Sequence, residues 1–147
     1  MQSNTKIKLF STDLDGTFLD RIENMTTFRQ LWSALDRQDR PLLCYNSGRL
    51  VDDVNQLISA RILAEPDYII GGVGTSIFDY NKETMLREFA EIMEEGWDHH
   101  LIDKVFSELD SDIVKQPAHY QNEYKSSWYL KDATAAALRE IELKLKS

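Results

Sequence analysis

Two aspartates, separated by one residue, directly follow a short apolar segment near the beginning of the sequence. The segment Lys6-Ile7-Lys8-Leu9-Phe10-Ser11-Thr12 is typical of a β-strand, and the turn-forming residues Asp13-Leu14-Asp15-Gly16-Thr17 come next. Because side chains alternate along an extended backbone, we expect Asp13 and Asp15 to point into one crevice while Leu14 points away. The end of this strand is therefore a candidate functional site.

The pair of carboxylates favours a bound cation. Two close carboxylates repel each other unless one is protonated or a cation lies between them, and Mg²⁺ prefers hard oxygen ligands of this kind. Gly16 lets the backbone turn sharply, which leaves amide groups free to meet an anion. The alternative interpretation is an ordinary acidic turn in which Asp13 caps a neighbouring segment.

The first half of the sequence alternates between apolar runs and helical patterns. Residues 41–45 predict a buried second strand that ends at Asn46-Ser47-Gly48-Arg49, and residues 68–70 predict a third strand before a glycine-rich turn. Apolar side chains three or four residues apart predict two intervening helices, one ending near residues 37–39 and one beginning at Val51. This alternation predicts an α/β fold with a parallel sheet, whose ligands bind at the carboxyl ends of the strands.

Ser47 follows the second strand and is the other candidate for chemistry in this half. Its hydroxyl can donate a hydrogen bond to a phosphoryl oxygen, helped by backbone amides at the beginning of the next helix. The alternative is that Ser47 is simply the N-cap of that helix.

The pattern changes beyond residue 80, where acidic residues accumulate and the strand-helix alternation ends. We therefore divide the chain into residues 1–80 and residues 81–147. The patterns of the second part predict a helix over residues 101–109, a strand over Tyr124 to Leu130 and a helix over residues 132–146 with Asp132 as its N-cap.

The composition narrows the class of partner. A net charge of -8 disfavours nucleic acid and anionic lipid, and no apolar run is long enough for a bilayer. The N-terminal residues lack the organisation of a signal peptide, and Cys44 is the only cysteine, so we expect a cytoplasmic protein without disulfides. The partner is then a small molecule or a metal cation.

Taken together, the motifs resemble those of the haloacid dehalogenase superfamily of phosphohydrolases, and most of all the sucrose-phosphate phosphatases. The likeness rests on six segments in order: residues 9–17, residues 45–49, Glu65-Pro66-Asp67, Val73-Gly74-Thr75, Gly96-Trp97-Asp98 and residues 125–130. The resemblance implies a three-layer sandwich around a parallel sheet, of which residues 1–80 are the N-terminal part. Residues 81–147 would be the first part of an α+β cap domain.

The resemblance also implies roles for individual residues and a magnesium-dependent hydrolysis of a sugar phosphate such as sucrose 6-phosphate. Asp13 corresponds to the nucleophile that accepts the phosphoryl group, and Asp15 to the general acid and base. The Asp13 carboxylate and the Asp15 backbone carbonyl would ligate Mg²⁺. The Leu14 amide, Ser47 and Gly48 would bind the phosphoryl group.

Four further residues are expected to contact the sugar. Thr75 follows the third strand, and Lys125, Ser127 and Tyr129 would share one face of the strand predicted over residues 124–130. A lysine, a hydroxyl and an aromatic ring suit a hydroxyl-rich ligand. The alternative is an exposed amphipathic strand without a binding role.

Two elements of the family pattern do not occur in these 147 residues. They are a catalytic lysine after the cap domain and an acidic Gly-Asp-x-x-x-Asp loop that completes the magnesium site. We therefore expect the isolated chain to be weak or inactive as an enzyme and to self-associate through its incomplete core. The alternatives are a non-catalytic sugar-phosphate-binding fragment or pseudoenzyme and, less compatible with the spacing of the two aspartates, a phosphorylated receiver domain.

Overall fold

A five-stranded mixed sheet dominates the first of two compact units in the chain. The computed structural model describes residues 6–109 and 112–146, and the division between the units falls after Ala90. The first unit contains β1 (Leu9–Thr12), α1 (Ile22–Ala34), β2 (Leu42–Asn46), α2 (Val51–Ser59), β3 (Tyr68–Gly71), β4 (Ser76–Asp79) and β5 (Thr84–Met85). Helix α3 (Arg87–Glu94) crosses the division.

The sheet confirms the three parallel strands that the sequence predicts. The strand order is β1-β2-β3-β4-β5, with β1, β2 and β3 parallel. Strands β4 and β5 are additional and antiparallel, and a tight turn, in which the Gly74 and Thr75 amides both donate to the Gly71 carbonyl, connects β3 to β4. The register pairs Thr12 with Tyr45 and Asn46 with Ile70, so the residues after β1 and β2 lie side by side.

The core lies between the centre of the sheet and the helices that follow β1 and β2. Leu14, Leu43, Tyr45, Val54 and Ile69 are completely buried. Strand β2 reads as a continuous apolar run because it has a neighbouring strand on each side and is covered on both faces. An aromatic group on α1 and β1, consisting of Phe10, Phe28 and Trp32, packs with ring centroids 5.2–6.0 Å apart.

Strand β1 is at the edge of this sheet. Among the described residues it pairs with β2 alone, and its Leu9 side chain is 54% exposed. Phe10 and, on the neighbouring strand, Leu42 are exposed as well. An apolar edge strand of this kind is a template for pairing with further backbone.

The second unit is built from short elements. It contains α4 (His99–Ser107), β6 (Ile113–Lys115), a 3₁₀ turn (Ala118–Tyr120), β7 (Trp128–Leu130) and α5 (Ala135–Lys146), and β6 pairs with β7 in antiparallel register. Trp128 stacks on Phe106 of α4, with ring centroids 4.7 Å apart and planes within 7°. Asp98 is the N-cap of α4, because its carboxylate accepts hydrogen bonds from the amides of His100 and Leu101.

Three predicted boundaries are wrong, each because a local hydrogen bond intervenes. Helix α1 ends at Ala34, three residues early, since the Asp36 carbonyl accepts from two later amides and forms a turn. Asp132 is not the N-cap of α5: it adopts a positive φ of 53°, and the Thr134 hydroxyl accepts from the Ala137 amide instead. The strand expected over residues 124–130 is formed by β7 alone.

None of the helices in the described ranges combines the length and the apolar character needed to cross a membrane.

We expect Tyr45→Phe to lower the free energy of unfolding by about 1–3 kcal/mol. The buried Tyr45 hydroxyl donates to the Ala64 carbonyl at 2.9 Å, and its removal leaves that carbonyl without a donor. Urea denaturation followed by circular dichroism measures the loss. Tyr129→Phe removes a hydroxyl from a side chain that is 52% exposed, and it should change stability by less than about 0.5 kcal/mol. Equal losses of stability in the two variants would show that the buried hydrogen bond from Tyr45 to Ala64 does not stabilise the fold.

Candidate active site

The loop after β1 separates its apolar residue from its two carboxylates. Leu14 is completely buried, and its carbonyl accepts hydrogen bonds from the amides of Thr17, Phe18 and Leu19 at 2.7–3.4 Å. Gly16 has a φ of 72°, a left-handed conformation that glycine adopts without steric cost. The buried leucine and the tight turn hold both aspartates on the solvent side, as the alternation of side chains predicts.

Ser47 is held in the loop after β2 by two backbone contacts. Its amide donates to the Ile70 carbonyl of β3 at 2.9 Å, and its hydroxyl oxygen accepts from the Arg49 amide at 3.2 Å. The side chain is only 3% exposed. Helix α2 has Leu50 as its N-cap without a side-chain hydrogen bond, so the alternative in which Ser47 caps that helix is wrong.

A bidentate ion pair connects the two loops. The Arg49 guanidinium donates to the two carboxylate oxygens of Asp15, from Nε at 2.8 Å and from Nη2 at 2.7 Å. The hydrogen bonds from Arg49 hold the pKa of Asp15 below its ordinary value, although partial burial acts in the opposite direction. The pair brings Asp15 beside the segment that carries Ser47.

Arg49 is the site residue that the sequence analysis did not assign. It belongs to the same motif as Ser47, two residues further along the chain. The sequence did indicate a role for Arg49, because neighbouring parallel strands place the residues after β1 and β2 at one edge of the sheet. An arginine after β2 is then close to an acidic pair after β1, which favours an ion pair.

Asp13 has a different environment from Asp15. Its Oδ2 atom accepts a hydrogen bond from the Thr17 hydroxyl at 3.0 Å, while its Oδ1 atom accepts none from the described residues. The Asp15 backbone carbonyl and the Leu14 amide also have no partner among the described residues. The loop thus presents two oxygen acceptors and one amide donor on its open side.

Some of these groups are suitable ligands for a hard cation, but they are too few to complete its coordination. A carboxylate oxygen of Asp13 and the carbonyl of Asp15 are suitable oxygen ligands, whereas the Asp15 carboxylate is committed to Arg49. Within residues 6–109 and 112–146, no three acidic, histidine or cysteine side chains are grouped as metal ligands. A cation here would take most of its coordination from water or from a bound anion.

The loop after β3 contacts the loop that carries Ser47. The Val73 amide donates to the Ser47 carbonyl at 3.3 Å, and the Gly72 amide donates to the Arg49 carbonyl at 2.7 Å. A side chain at Gly71 would place its Cβ 3.1 Å from the Arg49 carbonyl oxygen, so a larger residue there would crowd this carbonyl.

Thr75 and Gly48 belong to the same group of loops in the first unit. The Thr75 hydroxyl donates to the Gly72 carbonyl at 2.9 Å. Gly48 lies between Ser47 and Arg49, where an added Cβ would lie 3.8 Å from the Val73 side chain. The structure therefore brings the predicted site residues of this unit, Asp13, Leu14, Asp15, Ser47, Gly48 and Thr75, to one edge of the sheet.

The remaining predicted residues, Lys125, Ser127 and Tyr129, lie in the second unit and do not share one strand. Lys125 closes a tight turn by pairing with Asn122, and the Ser127 backbone is held by the side chain of Gln121. Tyr129 alone is in β7, with an exposed ring. The strand expected to carry these three side chains is wrong, because the Gln121 side chain occupies backbone groups that a longer strand would pair.

Comparison with known proteins gives the family. A model of the sucrose-6F-phosphate phosphohydrolase family matches residues 6–147. The chain belongs to this family. It is 41% identical over 139 residues to the mannosylfructose-phosphate phosphatase of Agrobacterium fabrum, which covers 95% of this chain and 56% of that protein.

Solved structures agree on the fold. The sucrose-phosphatase of Synechocystis sp. PCC6803, in complex with sucrose and phosphate, matches 96% of this chain and 56% of its own with a TM-score of 0.80 at 23% identity. The haloacid dehalogenase-like hydrolase yhjK of Bacillus subtilis matches with a TM-score of 0.58 at 15% identity. The α/β fold expected for this family is confirmed. The chain spans little more than half the length of these family relatives.

We expect Arg49→Gln to raise the pKa of Asp15 toward its ordinary value, as measured by NMR titration of the carboxyl carbon. A lowered pKa means that the pair stabilises the folded chain at neutral pH, and that this contribution is lost as the pH falls through the folded pKa. The two side chains are 39% and 54% exposed, so the contribution is below about 1 kcal/mol. Arg21→Gln, at the N-terminus of α1, is the control and should leave the Asp15 titration unchanged.

Proposed function

We propose that the loops after β1, β2 and β3 form the phosphoryl-transfer site of a sugar-phosphate phosphatase. The observation that supports this most directly is the Arg49–Asp15 ion pair, because it holds a carboxylate pair and a buried serine hydroxyl at one edge of the sheet. This is the edge at which α/β proteins bind their ligands. The family match over residues 6–147 supports the reaction class.

In this proposal Asp13 is the nucleophile. Its Oδ1 atom is unpaired among the described residues, while the Thr17 hydroxyl orients its Oδ2 atom. Attack of a carboxylate oxygen on phosphorus forms an aspartyl phosphate as the bond from phosphorus to the sugar oxygen breaks. A water molecule then displaces the Asp13 carboxylate and releases phosphate, so that one difficult hydrolysis becomes two displacements.

Asp15 supplies and removes the protons in these two steps. It donates a proton to the departing sugar oxygen and then takes one from the attacking water. The Arg49 guanidinium favours the anionic, basic form of Asp15. We infer that the phosphoryl group of the substrate competes for this guanidinium, which lets Asp15 take up a proton before the first displacement.

The phosphoryl oxygens would be held by the Leu14 amide, the Ser47 hydroxyl and the loop around Gly48. The first two are donors with no acceptor among the described residues. The Asp13 carboxylate and the Asp15 carbonyl would hold Mg²⁺, whose charge stabilises the negative charge that develops on the phosphoryl group. Donors fixed in this way before the substrate binds lower the barrier most effectively.

The substrate class in this proposal is a phosphorylated disaccharide. The relatives are named for mannosylfructose phosphate and for sucrose, which supports a sugar of that size. We propose Thr75 in the first unit, and Lys125, Ser127 and Tyr129 in the second, as contacts for its hydroxyl groups. Residues 1–80 would be the N-terminal part of the catalytic core and residues 81–147 the first part of the cap domain.

We further propose that the protein acts in the cytoplasm. Its single cysteine, Cys44, is buried in β2, and burial raises the pKa of its thiol. A chain of this size without a disulfide framework is typical of a reducing compartment.

We expect these 147 residues alone to bind sucrose 6-phosphate with Mg²⁺ but to release phosphate slowly. No Gly-Asp-x-x-x-Asp stretch is present to complete the charge stabilisation, and loss of one such group commonly costs about 100- to 1,000-fold in rate. Phosphate release is measured beside the mannosylfructose-phosphate phosphatase, and binding is measured by calorimetry. Asp13→Asn should remove the remaining turnover, whereas Asp20→Asn, an exposed aspartate outside the site, should not.

Each outcome of that experiment separates two interpretations. Fast turnover that is lost in Asp13→Asn would confirm the chemistry and contradict the expected weakness of the chain. Binding without any turnover would favour the alternative of a non-catalytic sugar-phosphate-binding module. Turnover that survives Asp13→Asn would contradict the assigned nucleophile.

We also propose that the chain self-associates through β1, the exposed edge of its sheet. Leu9, Phe10 and Leu42 form an exposed apolar group there, and β1 has backbone groups available for a second copy. Leu9→Lys should shift sedimentation toward the monomer because it places a charge in that contact. Leu143→Lys, on an exposed position of α5, is the matched control and should not. A stable monomer of the unmodified chain at about 100 μM would contradict the proposal.

A further inference from the structure

A cavity of ≈ 560 Å³ lies at the amino ends of β2 and β3 in the first unit. Its lining includes Arg40, two residues before β2, and residues 63–67, which lead into β3. Because Ser47 follows the carboxyl end of β2, the cavity and the candidate active site are separated by the length of a strand, roughly 15 Å. The cavity is therefore a different site, and the sequence analysis gave it no role.

The cavity contains a concentration of arginines. Arg29, Arg37, Arg40 and Arg61 all line it, which is half of the arginines in a chain with a net charge of -8. None of the four forms an ion pair with a carboxylate among the described residues. Four cations that share one cavity repel each other, and a bound anion would remove that repulsion.

The two carboxylates that line the cavity, Glu65 and Asp67, offset only half of this positive charge. Asp67 uses its Oδ2 atom to accept from the Leu43 amide at 2.8 Å and its Oδ1 atom to accept from the Asn81 side chain at 3.3 Å. Glu65 is exposed and forms no ion pair with a described residue. The lining thus keeps an excess of positive charge.

The wall of the cavity is partly aromatic. Trp32 lines it and is only 6% exposed, and the Arg40 guanidinium carbon lies 5.5 Å from the centre of the Trp32 ring. The buried Trp32 indole N–H donates to no acceptor among the described residues. The Trp97 indole N–H in the second unit is unpaired in the same way, and neither nitrogen is accessible to solvent, so the Trp32 ring contributes an apolar surface to the cavity. Tyr80 and the buried side chain of Leu63 add further apolar surface to this wall.

We propose that this cavity binds a small organic anion with at least two phosphate or carboxylate groups. Guanidinium groups recognise both kinds of oxyanion in bidentate geometry, and the volume is in the range of ordinary small-molecule sites. The Trp32 and Tyr80 rings contact the organic part, while the arginines hold the charged groups. The site is independent of the proposed phosphatase function and holds whether or not the chain hydrolyses a sugar phosphate.

The test is a calorimetric titration of the chain with inorganic pyrophosphate and, separately, with citrate, at constant ionic strength and without divalent metal. At least one probe should bind, and the stronger binder shows whether the site prefers phosphate or carboxylate groups. The double variant Arg37→Gln, Arg61→Gln removes two exposed arginines of the lining and should weaken binding about tenfold or more. Circular dichroism confirms that the variant is folded.

Two controls separate this site from general charge and from the candidate active site. Arg21→Gln, Arg139→Gln makes the same change in charge outside the cavity and should leave binding unchanged, whereas loss of binding in Ser47→Ala would place the anion at the candidate active site. In ¹H–¹⁵N spectra the Trp32 indole signal should move on binding, whereas those of Trp97 and Trp128, in the second unit, should not.

The proposal is overturned by any of three results. The first is that neither probe binds at about 10 mM. The second is that both double variants weaken binding equally. The third is that Ser47→Ala abolishes binding while the cavity variant does not.

Discussion

The parallel pairing of β1 with β2 is the constraint on which the candidate active site depends. Its register places Thr12 beside Tyr45, so the two loops begin at the same height of the sheet. A slip of one residue would turn Leu14 toward solvent and the two aspartates toward the core. The complete burial of Leu14 and the three amides bound to its carbonyl fix the register from one side, and the buried Tyr45 fixes it from the other.

The Arg49–Asp15 ion pair orients the Asp15 carboxylate more than it stabilises the fold. Its two side chains are largely exposed, and ion pairs of this kind contribute less than about 1 kcal/mol to folding. Complete burial of a leucine such as Leu14 contributes about 1.5–3 kcal/mol. The apolar residue therefore determines where the loop lies, and the ion pair selects one orientation of the Asp15 carboxylate within that loop. The exchange of partners that we propose for Asp15 when an anion binds requires a contact of this low stability.

The sequence predicted the helices that bury one face and the strand that is buried on both faces. Strand β2 was found as a continuous apolar run, and helix α2 was found because its apolar side chains repeat with the helical period. Strands β4, β5 and β6 were missed, since they have two to four residues, mostly half-buried or exposed, and no clear period. Pattern alone does not distinguish such segments from loops.

Side-chain competition accounts for the other differences. Asp132 and Thr134 are both good N-cap residues two positions apart, and the choice of Thr134 depends on the left-handed backbone at Asp132. Gln121 ends β7 early by hydrogen bonding to the Ser127 backbone, a contact between residues six positions apart. The Asp13–Asp15 and Ser47 motifs were identified because each follows a short apolar strand. The partner of Asp15 was not, because it depends on which side chain of a neighbouring loop reaches it.

The two ends of the parallel strands differ in how their charges are balanced. At the carboxyl ends, the cation Arg49 is matched by Asp15, and the unpaired groups that remain are oxygen acceptors and amide donors. At the amino ends four guanidiniums and one carboxylate, that of Glu65, form no ion pair with a described residue, although acidic residues outnumber basic ones in the chain as a whole. Arginines scattered on a surface at random would find carboxylates more easily than other arginines in this composition. Their shared position around one cavity leaves an excess of positive charge there, which would favour an anion, whereas the loops at the carboxyl ends would take a cation.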